Sequence, residues 1–288
     1  MFIFENKVIK HSMTRMSYLV LIVFMLISCN GKEKEAQKAD EHLDYVEELI
    51  DQNSYNAAKI QIDSIHILYP RLIDKRRKAA SLSDTIARRE SARTLVFCDT
   101  ALIRKNKELE HLLVNFRLEK DKKYQTIGSY VYKSQVTEAN TGRNYLKAYV
   151  DENADFYLVS NYTGRKIEHT ALKVNVGDLY AGTDTLSTSS PAYHSFTDDG
   201  TRWETLSLKN EAAKAIAMFV AQYLDSNIKV TLIGANSTSQ YQLTTMDKNA
   251  LAATYALWII KKDIVQLQLE IKKAKARIYR INHNTIKK

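Results

Sequence analysis

Apolar residues recur in unbroken steps of three and four near the end of the chain, at Leu257, Ile260, Ile264, Leu267, Ile271, Ala274, Ile278 and Ile281. That spacing keeps one helical face apolar and predicts a helix over 247–282. Leaving such a stripe wet forfeits roughly 1.5–3 kcal/mol per large side chain, so it must pack against another helix. A second run without Gly or Pro covers 72–119. Its later half carries a seam at Leu95, Cys98, Leu102, Lys105, Leu109, Leu112 and Phe116; its earlier half carries Leu72, Ala79, Leu82 and Ile86 in a different register. The change between Ile86 and Leu95 reads as a stutter in one coiled coil. The two long helices are expected to pair antiparallel within one chain, with self-association as the other solution.

Between them, over 124–245, aromatic and β-branched residues alternate with polar ones, at 127–132, 145–150, 156–160, 170–176 and 203–208. Turn clusters at Asn140-Thr141-Gly142, Thr163-Gly164 and Asp198-Asp199-Gly200 separate these stretches, which predicts a mostly antiparallel sheet. One amphipathic helix over 210–224, with Ile216, Phe219, Val220 and Tyr223 on one face, precedes two further strands over 228–233 and 240–244. Upstream, Leu43, Val46, Leu49 and Ile50 mark a helix, and Asn53-Ser54-Tyr55 turns the chain into another that ends near Pro70. The fold class expected is α+β: an N-terminal helical hairpin, a long antiparallel coiled-coil stalk, and an inserted, mostly antiparallel β-rich head with one helix. The segments are 35–122 for the hairpin and first stalk helix, 123–245 for the head, 246–282 for the second stalk helix and 283–288 for a basic tail.

The first residues carry an address. Lys7, Lys10 and Arg15 precede the apolar run 18–27, which is too short to span a bilayer, and the run closes on Leu26-Ile27-Ser28-Cys29. Met13 and Met16 are alternative starts. The arrangement resembles the signal peptide and lipobox of bacterial lipoproteins. That resemblance implies removal of 1–28, a tether over 29–34, and lipidation of Cys29 by a thioether-linked diacylglycerol and an amide-linked acyl chain. At about 0.8 kcal/mol per buried CH2, several chains hold a protein on a membrane in effect permanently. Asn30 in place of Asp implies the outer membrane rather than the inner, with surface display left open. An uncleaved membrane helix is the alternative; in both cases the rest of the chain faces away from the cytoplasm. The spacing of Asn53, Tyr55, Ala58, Ile62 and Pro70 resembles one tetratricopeptide repeat and implies a protein partner. A binding solenoid needs about three copies, which favours a lone hairpin packed on its neighbours.

Charge and composition narrow the partners. The formal charge of +9 points to an anionic neighbour such as headgroups, cell-wall polymer or an acidic protein, and the export signal argues against nucleic acid. Lys272, Lys273, Lys275, Arg277 and Arg280 form a basic foot; each could contribute about 1 kcal/mol against an anionic membrane surface, or none if the helix face is simply solvated. Two prolines and eight glycines in 288 residues favour long uninterrupted elements. Cys98 is left as a single thiol in the processed chain, so the fold rests on packing and not on a disulfide.

Candidate chemistry is sparse. His169, His194, Ser195, Asp198, Asp199 and Glu204 are types that serve a nucleophile, base and acid, but no nucleophile elbow, zinc signature or phosphate-cradling glycine loop accompanies them. No metal or cofactor is expected. The densest cluster, Tyr193, His194, Asp198, Asp199, Arg202 and Trp203, suits a glycan or peptide ligand as well as hydrolysis. Its plainer reading is a hairpin turn with Trp203 in the core. A ligand pocket would be lined by Tyr130, Tyr132, Tyr149, Tyr193 and Trp203. Three roles follow: an envelope lipoprotein that docks a protein or polymer through its β-rich part, a ligand-binding lipoprotein, and an envelope hydrolase using the His194–Asp199 cluster. The first accounts for every strong signal, and an enzyme is the less expected outcome.

Overall fold

The computed structural model describes residues 32–121, 123–136, 140 and 142–286, of which 284–286 as backbone alone. The signal and lipobox, including Cys29, and the end of the basic tail lie outside them. The protein is α+β, and its chain divides into two compact units: residues up to Val96 together with those from Ile271 onward, and Phe97–Glu270. None of the described helices is long and apolar enough to cross a membrane.

The first unit is helical. Helix α1 (32–51) buries Leu43, Val46, Leu49 and Ile50 against Ala58, Ile62 and Ile65 of α2 (Tyr55–Leu68) and Ala79 and Ile86 of α3 (Ile73–Leu113). Helix α1 stops at a Schellman motif: the Ser54 amide donates to Leu49 O (2.8 Å) and the Asn53 amide to Ile50 O (3.0 Å). Asn53 takes the left-handed conformation this motif demands, with φ +59°, which asparagine tolerates better than most residues. Ion pairs Lys75–Asp40, Lys78–Glu47 and Arg89–Asp51 flank the apolar seam between α1 and α3. Being largely exposed, they set register more than stability.

Leu72, Ala79, Leu82 and Ile86 therefore face α1 and α2, whereas Leu109 and Leu112 join the core of the other unit. The two registers along α3 thus serve two sets of partners. The helix also ends sooner than expected, at Leu113. Phe116 is not on the helical seam but in strand β1 (Phe116–Glu119), opposite Tyr132, where its ring packs edge-on against that tyrosine. Nothing local stops the helix there; pairing and burial of Phe116 outweigh helical propensity.

In place of one sheet, the second unit has two antiparallel sheets, because the chain leaves one and enters the other at 165–170. The larger follows the order β1, β2 (Ser129–Tyr132), β3 (Tyr145–Asp151), β4 (Phe156–Gly164), β8 (Thr201–Lys209), β7 (Tyr193–Asp198). The smaller follows β10 (Thr238–Gln242), β9 (Lys229–Ile233), β5 (Ala171–Val176), β6 (Leu179–Gly182). Leu146, Phe156, Leu158 and Leu206 of one sheet and Leu172, Val230 and Leu232 of the other enclose a common core with α4 (Glu211–Gln222) and the first part of α5 (Thr245–Ile286). Trp258 of α5 is enclosed there, stacked on Phe156 with centroids 5.2 Å apart and donating its indole N–H to Ala154 O (3.1 Å). The stripe on α5 is not wet: Leu257, Ile264, Ala274 and Ile281 are buried. Within the second unit α5 meets α3 at Lys105, whose ammonium lies 3.0 Å from Asp263. The hydrogen bond to Asp263, then that to Glu108, holds the pKa of Lys105 above its ordinary value, so a lysine is accommodated at a seam position. Cys98 is buried as a small apolar group.

Where the chain changes sheets, Gly234, at the end of β9, touches the crossover so closely that a Cβ there would lie 1.9 Å from Ile167 O. Gly234→Ala must therefore push backbone from backbone, and should lower unfolding free energy by about 1–3 kcal/mol or more, read from urea midpoints.

Candidate ligand-binding site

Strands β7 and β8 form a hairpin closed by Asp199-Gly200, with φ +44° and +74°, between the paired Asp198 and Thr201. Two successive positive φ values match the right-handed twist of a hairpin, and Asp-Gly is a sequence suited to them. Cross-strand partners share a face, so pairing divides the hairpin. Phe196↔Trp203 and His194↔Thr205 lie on one side, continued by Asn161 of β4 and Tyr145 of β3. Ser195↔Glu204 and Tyr193↔Leu206 lie on the side that carries Ser160, Tyr162 and the core leucines.

The first side borders a cleft of about 350 Å³ lined by Tyr145, Asn161, Phe196, Asp198, Trp203 and Thr205. Phe196 and Trp203 stack nearly parallel, 6° apart in plane with centroids separated by 6.1 Å, and Phe196 is about half exposed. Trp203 is half-buried at this cleft and not in the core. One wall is fixed by Arg143, which makes two 2.7 Å bonds to the buried Asp247 carboxylate, donates to Asn140 Oδ1, and lies over the Tyr145 ring at 4.7 Å. The hydrogen bonds to Asp247 hold the Arg143 pKa above its ordinary value despite burial. In contrast, the Asp198 carboxylate and the Thr205 hydroxyl have no hydrogen-bond partner among the described residues.

The sequence-selected residues thus separate. His194, Asp198 and Trp203 point to the cleft side, and Asp199 sits in the exposed turn. Tyr193 and Arg202 turn inward: the Tyr193 hydroxyl is buried without a partner among the described residues, and Arg202 donates to Ser195 Oγ (2.7 Å). No described carboxylate lies within ion-pairing distance of His194, so the His194–Asp199 stretch does not assemble an acid–base pair. Nor do the expected pocket tyrosines meet at Trp203: Tyr149 stacks on Tyr157, Tyr132 abuts Phe116, and Tyr130 lies beneath Lys261. All of Lys272, Lys273, Lys275, Arg277 and Arg280 are exposed on α5.

A Ser–His–Glu sequence of hydrogen bonds does exist, deeper in. His169 Nδ1 lies 3.1 Å from Glu204 Oε2, and His169 Nε2 lies 3.1 Å from Ser160 Oγ. Glu204 also accepts the backbone N–H groups of Ile167, Glu168 and His169, each at 3.0 Å. Ser160, His169 and Glu204 are completely buried, so no substrate reaches the hydroxyl; the array is a latch between β4, β8 and the crossover to the second sheet. Ser160 had a signal in the sequence: it shares strand parity with Phe156 and Leu158, as Glu204 does with Leu206 and Leu208, and a polar residue at an inward position needs a partner.

Burial pushes the His169 pKa below its ordinary 6.5 in spite of the neighbouring carboxylate. The imidazole is then neutral, donating from Nδ1 to Glu204 and accepting the Ser160 hydroxyl at Nε2. Burial works to raise the Glu204 pKa, but three backbone donors and His169 together hold it below 4.5. Both groups bind protons more readily when unfolded, so their stabilisation is complete above pH about 6.5 and is lost as pH falls, first through His169 and then through Glu204. Glu204→Gln should cost about 3 kcal/mol at pH 7, because one backbone donor faces an amide donor. His169→Asn should flatten the decline in unfolding free energy between pH 7 and 5, measured by urea titration at each pH.

No family model, curated protein or solved structure compared with the chain matches it.

Proposed function

We propose that this protein is a lipid-anchored cell-envelope interaction module that recognises a glycan segment of an envelope polymer through the Phe196–Trp203 cleft. The observation that carries the reading is the stacked aromatic pair at a cleft whose Asp198 and Thr205 side chains have no partner of their own among the described residues. Ring faces are electron-rich and attract the polarised C–H groups of a sugar, while a carboxylate, a hydroxyl and the Asn161 carboxamide suit its hydroxyls. The Arg143–Asp247 clamp supplies a rigid wall, which lowers the cost of ordering a bound ligand. Attachment rests on the lipobox ending at Cys29, and the coiled-coil reading on the buried α5 stripe and the Lys105–Asp263 contact. A second reading, an extended peptide adding to the sheet, draws on β7 being an edge strand with one side unpaired.

Tryptophan fluorescence tests the glycan reading directly, because the chain has two tryptophans and Trp258 is enclosed. Titrating the detergent-purified full chain with soluble peptidoglycan fragments should give a saturable change in emission. Trp203→Ala should weaken binding, followed by calorimetry below the variant's own melting transition because the residue is mostly buried, at least tenfold, about 1.4 kcal/mol. Equal affinity in wild type and variant would sink the reading, and binding of extended peptides in its place would favour strand addition.

A further inference from the structure

A second cleft belongs to the helical unit. The α1–α2 turn, the middle of α3 and the last part of α5 border about 530 Å³ of space lined by Asn53, Tyr55, Asn56, Glu90, Arg93, Thr94 and Arg277. Its chemistry is lopsided towards donors. Arg93 places its guanidinium 5.5 Å from the centre of the Tyr55 ring, and the Tyr55 hydroxyl donates to Asn53 Oδ1 at 2.8 Å. The Asn53 carboxamide is thereby held by its oxygen, and its N–H groups have no acceptor among the described residues. Asn56 likewise has no side-chain partner there. Arg89, one turn before Arg93 on the same helix, is engaged with Ile50 O and Asp51, yet neither Arg93 nor Arg277 has a described carboxylate within ion-pairing distance. The Glu90 carboxylate in the lining is already paired, since it lies 2.6 Å from Lys59. Two guanidiniums and two amides from three chain segments thus face one space in which the only lining carboxylate among the described residues, Glu90, is taken up by Lys59.

The geometry points to this cleft as a binding site for a phosphate monoester, with Arg93 and Arg277 as charge partners and Asn53 and Asn56 as neutral donors. Two uncompensated guanidiniums match the charge of roughly −1.5 to −2 that such a group carries at pH 7, and their forked N–H groups match its oxygens. A carboxylate would leave one positive charge unanswered. The same phosphate chemistry could belong to a soluble or polymeric ligand or to a lipid headgroup. The helix favours the former: α1 runs about 30 Å before reaching the cleft, away from the end nearest Cys29. This inference uses none of the residues of the glycan cleft and stands independently of that reading.

Calorimetric titration of the detergent-purified full chain with glycerol 3-phosphate tests it, alongside flotation with phosphatidylcholine vesicles with and without phosphatidic acid. Saturable binding of glycerol 3-phosphate is expected, at least tenfold weaker in Arg277→Gln and weaker again when Arg93→Gln is added. Because Arg93 also packs on Tyr55, the exposed Arg277→Gln variant, with an unchanged melting temperature, keeps the test clean of unfolding. Binding to phosphatidic acid vesicles that depends on Arg277, without binding of glycerol 3-phosphate, would support the phosphate site and assign it to a headgroup. Absence of both, or phosphate binding unaltered in the double variant, would overturn it.

Discussion

The carboxylate of Glu204 is the point on which the β-rich unit turns. A buried carboxylate is costly unless its lone pairs are filled, and here three consecutive backbone N–H groups and an imidazole fill them. Those N–H groups belong to the segment by which the chain leaves the larger sheet for the smaller, so one side chain on β8 sets the path of the crossover. Glu168 takes φ +53° to present its amide, and Gly234 gives the crossover room. The two sheets can then share one core, into which Trp258 and Ile216 are packed.

The same hairpin that supplies Glu204 also supplies Trp203, one residue earlier and on the opposite face. Strand alternation therefore couples a structural task to a recognition task. Inward, every polar atom of Glu204 is engaged; outward, Phe196 and Trp203 stand beside Asp198 and Thr205, which have no internal partners among the described residues. A rigid inner face is what allows an outer face to be held ready for a ligand.

In the helical unit the governing constraint is the division of α3 between partners. Its early apolar positions face α1 and α2, and its later ones serve the β-rich unit's core and the contact with α5. A continuous helix can change partners in this way simply by rotating its apolar stripe, with no break in hydrogen bonding. The turn at Asn53 likewise does double duty, ending α1 in a left-handed conformation and placing a carboxamide at the rim of the donor-rich cleft.

Periodicity determined the α+β class, the burial of the Leu257–Ile281 stripe and the apolar face of α1, and residue type the Asp199-Gly200 turn, because each depends on a short stretch of chain. It could not tell one sheet from two, since strand patterns report which face is buried and not which strand lies beside which. It ran α3 on to residue 119, past its end at Leu113, because no local breaker stands there. The Ser160–His169–Glu204 latch and the grouping of Asn161 with Trp203 were decided by strand register, which joins residues far apart in sequence. Likewise, Arg93 and Arg277 came to line one cleft only when the middle of α3 and the last part of α5 folded into one unit: hydrophobic pattern is a local property, whereas the convergence of polar groups is a product of the whole packing.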